Sequence, residues 1–415
     1  MQSTRSGSSA DRRVVWVVSV LFLLALGIYW LSATLLGRSQ SPDSAYFNYL
    51  ADAFLHGRSY LADPPGTHDL TLYGGKWYVP FPPLPALLLL PGVAASGVAG
   101  VNTVLFGAIM GAANVVLVFL LLRSLAKRGR TRLGVADNLW LTALFGVGSV
   151  HWYMSTLGSV WFVSQICTLT FVLLAAWIAT ATGSPLLSGT ALALAMLGRP
   201  NVALSYPLLL AIGLQRLWEM LGGRDLRQGF RWGILGLAPL VLSGLLLLGY
   251  NHVRFQNALD FGYLQENVAG ELAGDLHQYG QFSLHYVPHN LWAMWLAGPD
   301  WDAKAGRIVP NVDGMSLLLT TPALLYVLGA RKRYILGAGA WVAFGALLIP
   351  LLSYYNTGWW QFGYRFSLDF MTPVMVLLAI GAGSRVGWKL RLLILIGVIV
   401  NAWGVWWFLN PRFFS

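Results

Sequence analysis

Long apolar stretches dominate the sequence, and charged or turn residues separate them but rarely enter them. A helix that crosses a bilayer needs about 20 apolar residues, because each adds ~1.5 Å against a hydrocarbon core of ~30 Å. Runs that meet or approach this length lie at 14–36, 101–123, 136–153, 160–181, 185–198, 201–219, 232–250, 314–330, 334–353, 366–384 and 389–409. Over 415 residues the chain is 56% hydrophobic and 10% charged, whereas a soluble domain is about 25% charged. That balance excludes a disordered chain and argues against a soluble enzyme. The expected fold is all-α, a polytopic membrane helical bundle of roughly eleven spans. Residues 1–415 are read as one domain with long outer loops at 37–79 and 251–313. The single cysteine, Cys167, allows no internal disulfide.

The run at 84–97 is the exception. Pro80, Pro82 and Pro83 precede it, and Pro85 and Pro91 interrupt it. The positive-inside rule bears on whether it crosses. If Arg5, Arg12 and Arg13 share the cytoplasmic side with Arg123, Lys127, Arg128, Arg130 and Arg132, an even number of spans separates the two groups. The runs at 14–36 and 101–123 already supply two, so 84–97 is expected as a re-entrant or interface-lying helix. The later basic groups, Arg216 to Arg231, Arg331 to Arg333 and Arg385 to Arg391, then also fall inside. The run at 14–36 has no A-x-A-like site after it and reads as an anchor, not a cleaved signal. The net charge of +11 is thus a topology signal toward anionic lipid, and a nucleic-acid partner is not expected. All seven histidines fall in the outer loops or at an outer helix end, as His151 does. The inner loops are short and hold no phosphate-binding, nucleophile-elbow or zinc-protease motif. The chemistry is therefore expected outside the cytoplasm.

In the first outer loop, Tyr46, Phe47, Leu50, Phe54 and Leu55 have near-helical spacing within residues 44–55. They predict an amphipathic helix on the membrane surface with Asp43 at its N-cap. Asp43 reads either as a cap or as a general base, since a carboxylate near hydrocarbon is costly to keep. Arg199 and Arg365 lie at outer ends of expected spans, where they either snorkel to lipid headgroups or bind phosphate. Arg365 and Asp369 are four apart. They form an intrahelical ion pair, or Arg365 grips phosphate while Asp369 orients it. Trp359, Trp360, Gln361 and Phe362 read as an interface belt or a sugar-stacking platform. The 251–313 loop holds Asp260, Glu266, Glu271, Asp275, Asp300 and Asp302, suited to a divalent cation or to acceptor hydroxyls. Its His277, His285 and His289 match no compact zinc pattern. It is expected as a solvated lid, with Tyr279, Phe282 and Tyr286 packed on the bundle and Arg254 just above the bilayer. Phe261-Gly262-Tyr263 is echoed by Phe362-Gly363-Tyr364.

Taken in order, a first span, an outer aspartate before a surface helix, and an aromatic segment ending in Pro82-Pro83-Leu84-Pro85 before an apolar run resemble the GT-C superfamily of membrane glycosyltransferases. The likeness is to the branch of protein O-mannosyltransferases and of aminoarabinose or galacturonic acid transferases of lipid A. It is strongest over residues 14–135, with GRPNVALSYP (198–207) and FGYRFSLDF (362–370) beyond. The resemblance implies a GT-C-like fold and transfer of a sugar from a polyprenyl-phosphate carrier to a glycan, lipid or protein acceptor outside the cytoplasm. It implies a bacterial host and Asp43 as the catalytic acidic residue; a plasma-membrane location among membrane lipids follows from the spans, and no cofactor is expected, a divalent cation on the acidic loop being the alternative. Ser44 stands where the mannosyltransferases often carry a second acidic residue, and Phe81 where the aminoarabinose transferases carry lysine before Pro-Pro. Lys76 is the nearest lysine able to take that phosphate contact. Lys76, Arg199, Arg365 and Arg58 are the candidate donor-phosphate ligands, with His68, Asp69, Tyr364 and Asp369 as supporting groups.

The chemistry asks for the same parts. Displacing a polyprenyl phosphate needs a base for the acceptor oxygen, cations for the leaving phosphate and an apolar groove for the tail. Two other classes stay in view, a transporter or flippase of lipid-linked glycans and a non-catalytic assembly protein of the envelope. A transporter calls for polar groups at mid-membrane and paired interrupted helices. Near mid-membrane the spans offer almost none: Asn114, Thr170 and Ser243 are mild, and Gln165 lies nearer an outer end.

Overall fold

A computed structural model describes residues 4–304, 306–330, 335–358 and 360–410. Arg331, Lys332, Arg333 and Trp359, all used in the sequence reading, lie outside the described residues. The chain is a polytopic helical membrane protein. Among the described residues, six helices are long and apolar enough to cross a membrane: Arg12–Leu35, Thr103–Lys127, Val160–Ala181, Leu226–Phe255, Ile335–Ser353 and Trp388–Leu409. The first leaves Leu23, Leu24, Leu31 and Leu35 exposed, a face suited to lipid.

The other expected spans are shorter or broken. The run at 136–153 becomes Val135–Val147, then a separate turn at His151–Met154. The next, 185–198, becomes Pro185–Met196. At 201–219 a 3-10 turn, Pro200–Ser205, leads into Tyr206–Met220. At 314–330 a short helix, Leu317–Thr320, gives way to a 3-10 stretch, Pro322–Gly329. At 366–384 a 3-10 turn, Arg365–Phe370, precedes Met371–Gly381. Pro200 and Pro322 each supply a break, since proline lacks the N–H a helix needs. Irregular backbone at membrane depth survives only inside protein or beside a cavity, and the Arg365–Phe370 turn is buried throughout. Met371–Gly381 is buried along almost its whole length and forms the middle of the bundle. Gly189 and Gly236 bring two helices into near backbone contact, as small residues do in membrane bundles.

Leu84–Ser96 has 13 residues, about 20 Å, well short of the ~30 Å hydrocarbon core. It packs on Tyr46–Leu55, the amphipathic helix expected from the sequence. That helix begins later than its pattern suggested. Ala45 is its N-cap residue and no side chain caps it. A turn in which Ala45 N–H donates to Pro42 O at 2.9 Å carries Asp43 out to solvent, so Asp43 is not the cap.

The two long loops lock together over one end of the bundle. In the first, Thr71–Tyr73 and Lys76–Tyr78 form a hairpin, with Gly74 and Gly75 both at positive φ in its turn. The second contributes residues 262–267. Asp69 N–H donates to Asn267 O, and Asn267 N–H donates to Leu70 O, both at 2.9 Å. The Thr71 hydroxyl donates to Gly262 O at 3.0 Å. Residues some 200 apart in sequence thus share one small sheet-like junction, with Thr71 bridged to Glu266.

Candidate active site

Beneath this junction the GRPN segment and the Arg365–Phe370 turn meet at a buried carboxylate. Arg199 Nη2 lies 2.9 Å from Asp369 Oδ2, and its Nε donates to the same oxygen at 3.0 Å. Asn201 Nδ2 donates to Oδ2 and Gln165 Nε2 to Oδ1, each at 2.8 Å. Gln165 also donates to Arg365 O at 2.9 Å. Asp369 therefore pairs with Arg199 and not with Arg365, contrary to the i, i+4 pair expected. The reason is local: residues 365–370 form a 3-10 turn, in which i and i+4 do not stack as on an α-helix.

Freed from Asp369, Arg365 donates through Nε to Gly358 O at 2.9 Å and lies over the Phe366 and Phe162 rings. Among the described residues no carboxylate is within ion-pair distance of it. It lines two adjoining cavities of about 520 and 220 Å³. Asp69, Trp161, Tyr355, Asn356 and Arg365 face both and form their common wall. The larger cavity continues past Arg38, His68 and Pro42 to the apolar side chains Val104, Leu157 and Phe408. Arg199, Asn201, Tyr263, Glu266, Gln281 and Tyr354 line the smaller.

Asp69 sits at positive φ, +57°, a region asparagine and aspartate tolerate and one that marks functional sites more often than chance. The Asn267 contact fixes that conformation. Trp161 shares the cavity wall with its carboxylate, and His68 Nε2 lies 3.7 Å from Oδ1. Burial raises the Asp69 carboxyl above the ordinary aspartate range, while His68, Trp161 and Arg365 pull it part of the way back. Glu266 is buried, and burial followed by the Asp69 charge holds its carboxyl well above the usual range. Its Oε2 has no hydrogen-bond partner.

The structure brings together Asp69, His68, Arg199, Arg365 and Asp369 from the sequence-derived set. Asp43 is exposed at the rim, next to Pro42 of the larger cavity wall. Tyr364 is buried under the site with its hydroxyl unpartnered. Two candidates fall elsewhere. Arg58 pairs with Asp52 at 3.6 Å, because Gly57 (φ +66°) turns the chain back at the helix end. Lys76 is exposed on the hairpin with Nζ 4.3 Å from the centre of the Tyr60 ring. Neither lines a cavity. Of the three rings expected to pack on the bundle, Tyr286 is buried, but Tyr279 and Phe282 are exposed. His151 is fully buried beside Tyr29 and Asn114 and does not face an outer surface.

Trp161, Tyr355, Asn356 and Asn201 escaped the sequence reading as site residues. Asn201 had a signal, two places after Arg199 in the GRPN segment. The aromatic-Gly-Tyr echo has structural content as well. Gly262 and Gly363 both have positive φ, +82° and +67°, and a Cβ on either would come 2.6 Å from a neighbouring side chain. Gly363→Ala is therefore expected to cost at least about 1–2 kcal/mol from the left-handed backbone alone. Thermal unfolding of the purified protein checks this, and an unchanged transition would mean the turn is not built as described.

No protein-family model and no curated protein matches the sequence. Solved structures of similar shape include an archaeal oligosaccharyltransferase, AglB from Archaeoglobus fulgidus, in complex with an inhibitory peptide and a dolichol-phosphate. It has a TM-score of 0.46 and 13% identity, over 97% of this chain and 56% of that one. ArnT from Cupriavidus metallidurans bound to undecaprenyl phosphate has a TM-score of 0.46 and 16% identity, over 91% and 60%. The apo form of the Archaeoglobus fulgidus oligosaccharyltransferase gives 0.45 and 13%, over 96% and 56%. The alignments thus take in between 56% and 60% of the length of these proteins.

Proposed function

We propose that the protein is a glycosyltransferase that moves a sugar from a polyprenyl-phosphate carrier to a hydroxyl acceptor on the outer face of the plasma membrane. The observation that carries this reading is the common wall of the two cavities, where a half-buried carboxylate, Asp69, and a buried guanidinium, Arg365, without a carboxylate partner among the described residues, face the same space. The larger cavity suits the carrier phosphate and the start of its tail, with Arg38 and Arg365 for the charge and Val104, Leu157 and Phe408 for the prenyl units. The acceptor hydroxyl gives its proton to the carboxylate, and its oxygen attacks the anomeric carbon. The bond from that carbon to the phosphate oxygen breaks with its electron pair leaving on phosphate, beside Arg365. Configuration at the anomeric carbon inverts.

Asp69 is the base in this reading. Asp43, the residue the family resemblance names, is the competing candidate, because its neighbour Pro42 lines the larger cavity. The charge distribution of the sequence supports an orientation with the N-terminus in the cytoplasm and this site outside. The bacterial host rests on the resemblance.

The test is turnover of a panel of undecaprenyl- and dolichyl-phosphate sugars by the purified protein, scored as sugar release or transfer. Arg365→Gln is expected to weaken apparent carrier affinity by roughly ten- to a hundredfold, the worth of a charge-assisted hydrogen bond. Arg58→Gln and Lys76→Gln should leave it unchanged. Failure of every donor to turn over, together with no binding of either carrier phosphate, would overturn the reading.

A further inference from the structure

The smaller cavity differs from the larger one in charge and in lining. Its one cation apart from the shared Arg365 is Arg199, and Asp369 neutralises it at 2.9 Å. Two more carboxyl groups, Asp69 and Glu266, face the same space. An anionic guest would find no surplus positive charge there. Asn201, Gln281 and Asn356, which carry side-chain amides, line it together with the aromatic residues Phe261, Tyr263 and Tyr354. A mixture of directional polar groups and aromatic rings is what a polyhydroxylated ring needs, since it shows hydroxyls at its edge and C–H groups on its faces. At about 220 Å³ the space suits a single ring better than a length of peptide.

Glu266 supplies the decisive feature. Its side chain is buried, it lines this cavity, and Oε2 has no partner. A buried polar atom left unsatisfied is rare in a native protein. Burial and the nearby Asp69 favour the neutral acid, which both donates and accepts a hydrogen bond.

The geometry points to the smaller cavity as a subsite for one neutral monosaccharide ring, with Glu266 as the residue that hydrogen-bonds its hydroxyl groups. This deepens the proposed function and rests on it only for the ring's place next to Asp69. The ring belongs either to the acceptor or to the donor, and the chemistry of recognition is the same.

The test is binding of methyl glycosides of mannose, galactose, glucose and arabinose to the full-length protein, followed by tryptophan fluorescence, since Trp161 is in the wall. The wild type is expected to bind at least one of them. Glu266→Ala should lose roughly ten- to a hundredfold in affinity and Glu266→Gln less, because the amide also donates and accepts. Gln281→Ala, at a half-buried lining position, is a second variant that should weaken the same ligand without disturbing the core. Undecaprenyl phosphate binding is measured in parallel. Carrier binding with no glycoside binding would overturn the subsite and leave the transferase reading standing. Glycoside binding without carrier binding would do the reverse. Equal glycoside affinity in wild type and both Glu266 variants, or stronger binding of sugar phosphates or a serine-containing peptide than of any neutral glycoside, would also overturn it. If the lipid-linked sugar displaces the glycoside while undecaprenyl phosphate alone does not, the ring is the donor's. If the two bind together, it is the acceptor's.

Discussion

Asp69→Asn is expected to lower sugar transfer by roughly 10²- to 10⁴-fold, the usual contribution of a positioned base, and to leave carrier binding intact. Asparagine keeps the size of the side chain and tolerates the positive φ at this position, so the loss reports the carboxylate and not the fold. The pH profile carries the same information with a definite sign. A base works only when ionised, and burial raises this carboxyl. Activity should therefore fall on acidification at a higher pH than an ordinary aspartate, near 4, would dictate. That acid limb should vanish from the residual activity of Asp69→Asn. Asp43→Asn serves as the contrast and is expected to remain within a few-fold of wild type. Full activity in Asp69→Asn with a large loss in Asp43→Asn would transfer the base to Asp43.

Asp369→Ala has the other large effect, this time on stability. The carboxylate accepts hydrogen bonds from Arg199, Asn201 and Gln165 in a buried setting. Removing it leaves the Arg199 charge and the Asn201 amide unpaired and takes one of two acceptors from Gln165, which for a buried pair costs about 3–5 kcal/mol. Arg199→Met combined with Asp369→Leu removes both charges and should recover much of that loss, since apolar replacement of a whole buried pair is often close to neutral. The double variant should still fail in transfer, because Arg199 lines the smaller cavity. Thermal and denaturant unfolding of the three proteins in one detergent separates these effects. An Asp369→Ala protein as stable as wild type would mean that the ion pair contributes nothing.

The mismatches between expectation and structure share one cause. Helical periodicity offers a pairing of Arg365 with Asp369, yet the segment is a 3-10 turn and Asp369 turns to Arg199, 170 residues away in sequence. Charge and loop position make Arg58 and Lys76 candidates. Their neighbours Asp52 and Tyr60 hold them away from the cavities. The cap reading of Asp43 fails because a turn between Pro42 and Ala45 moves the helix start past it. Glu266 was visible only as one of several acids in a long loop, and its burial depends on a junction with Thr71.

The sequence by itself determined that this is a helical membrane protein, because apolar runs of span length leave few other places for so much hydrocarbon surface. It also determined where the polar chemistry would gather, in the two long loops and at helix ends such as Arg199 and Arg365, since charge is too costly elsewhere in a bilayer. Only the tertiary structure decided which of those groups meet. Asp69 and Glu266 come from loops some 200 residues apart that hydrogen-bond over the bundle, and Arg199 and Asp369 from segments 170 apart beneath it. Periodicity and charge spacing report neighbours along the chain. Contacts of that range are fixed by how broken helices pack and satisfy their own backbone groups, and a local pattern does not encode them.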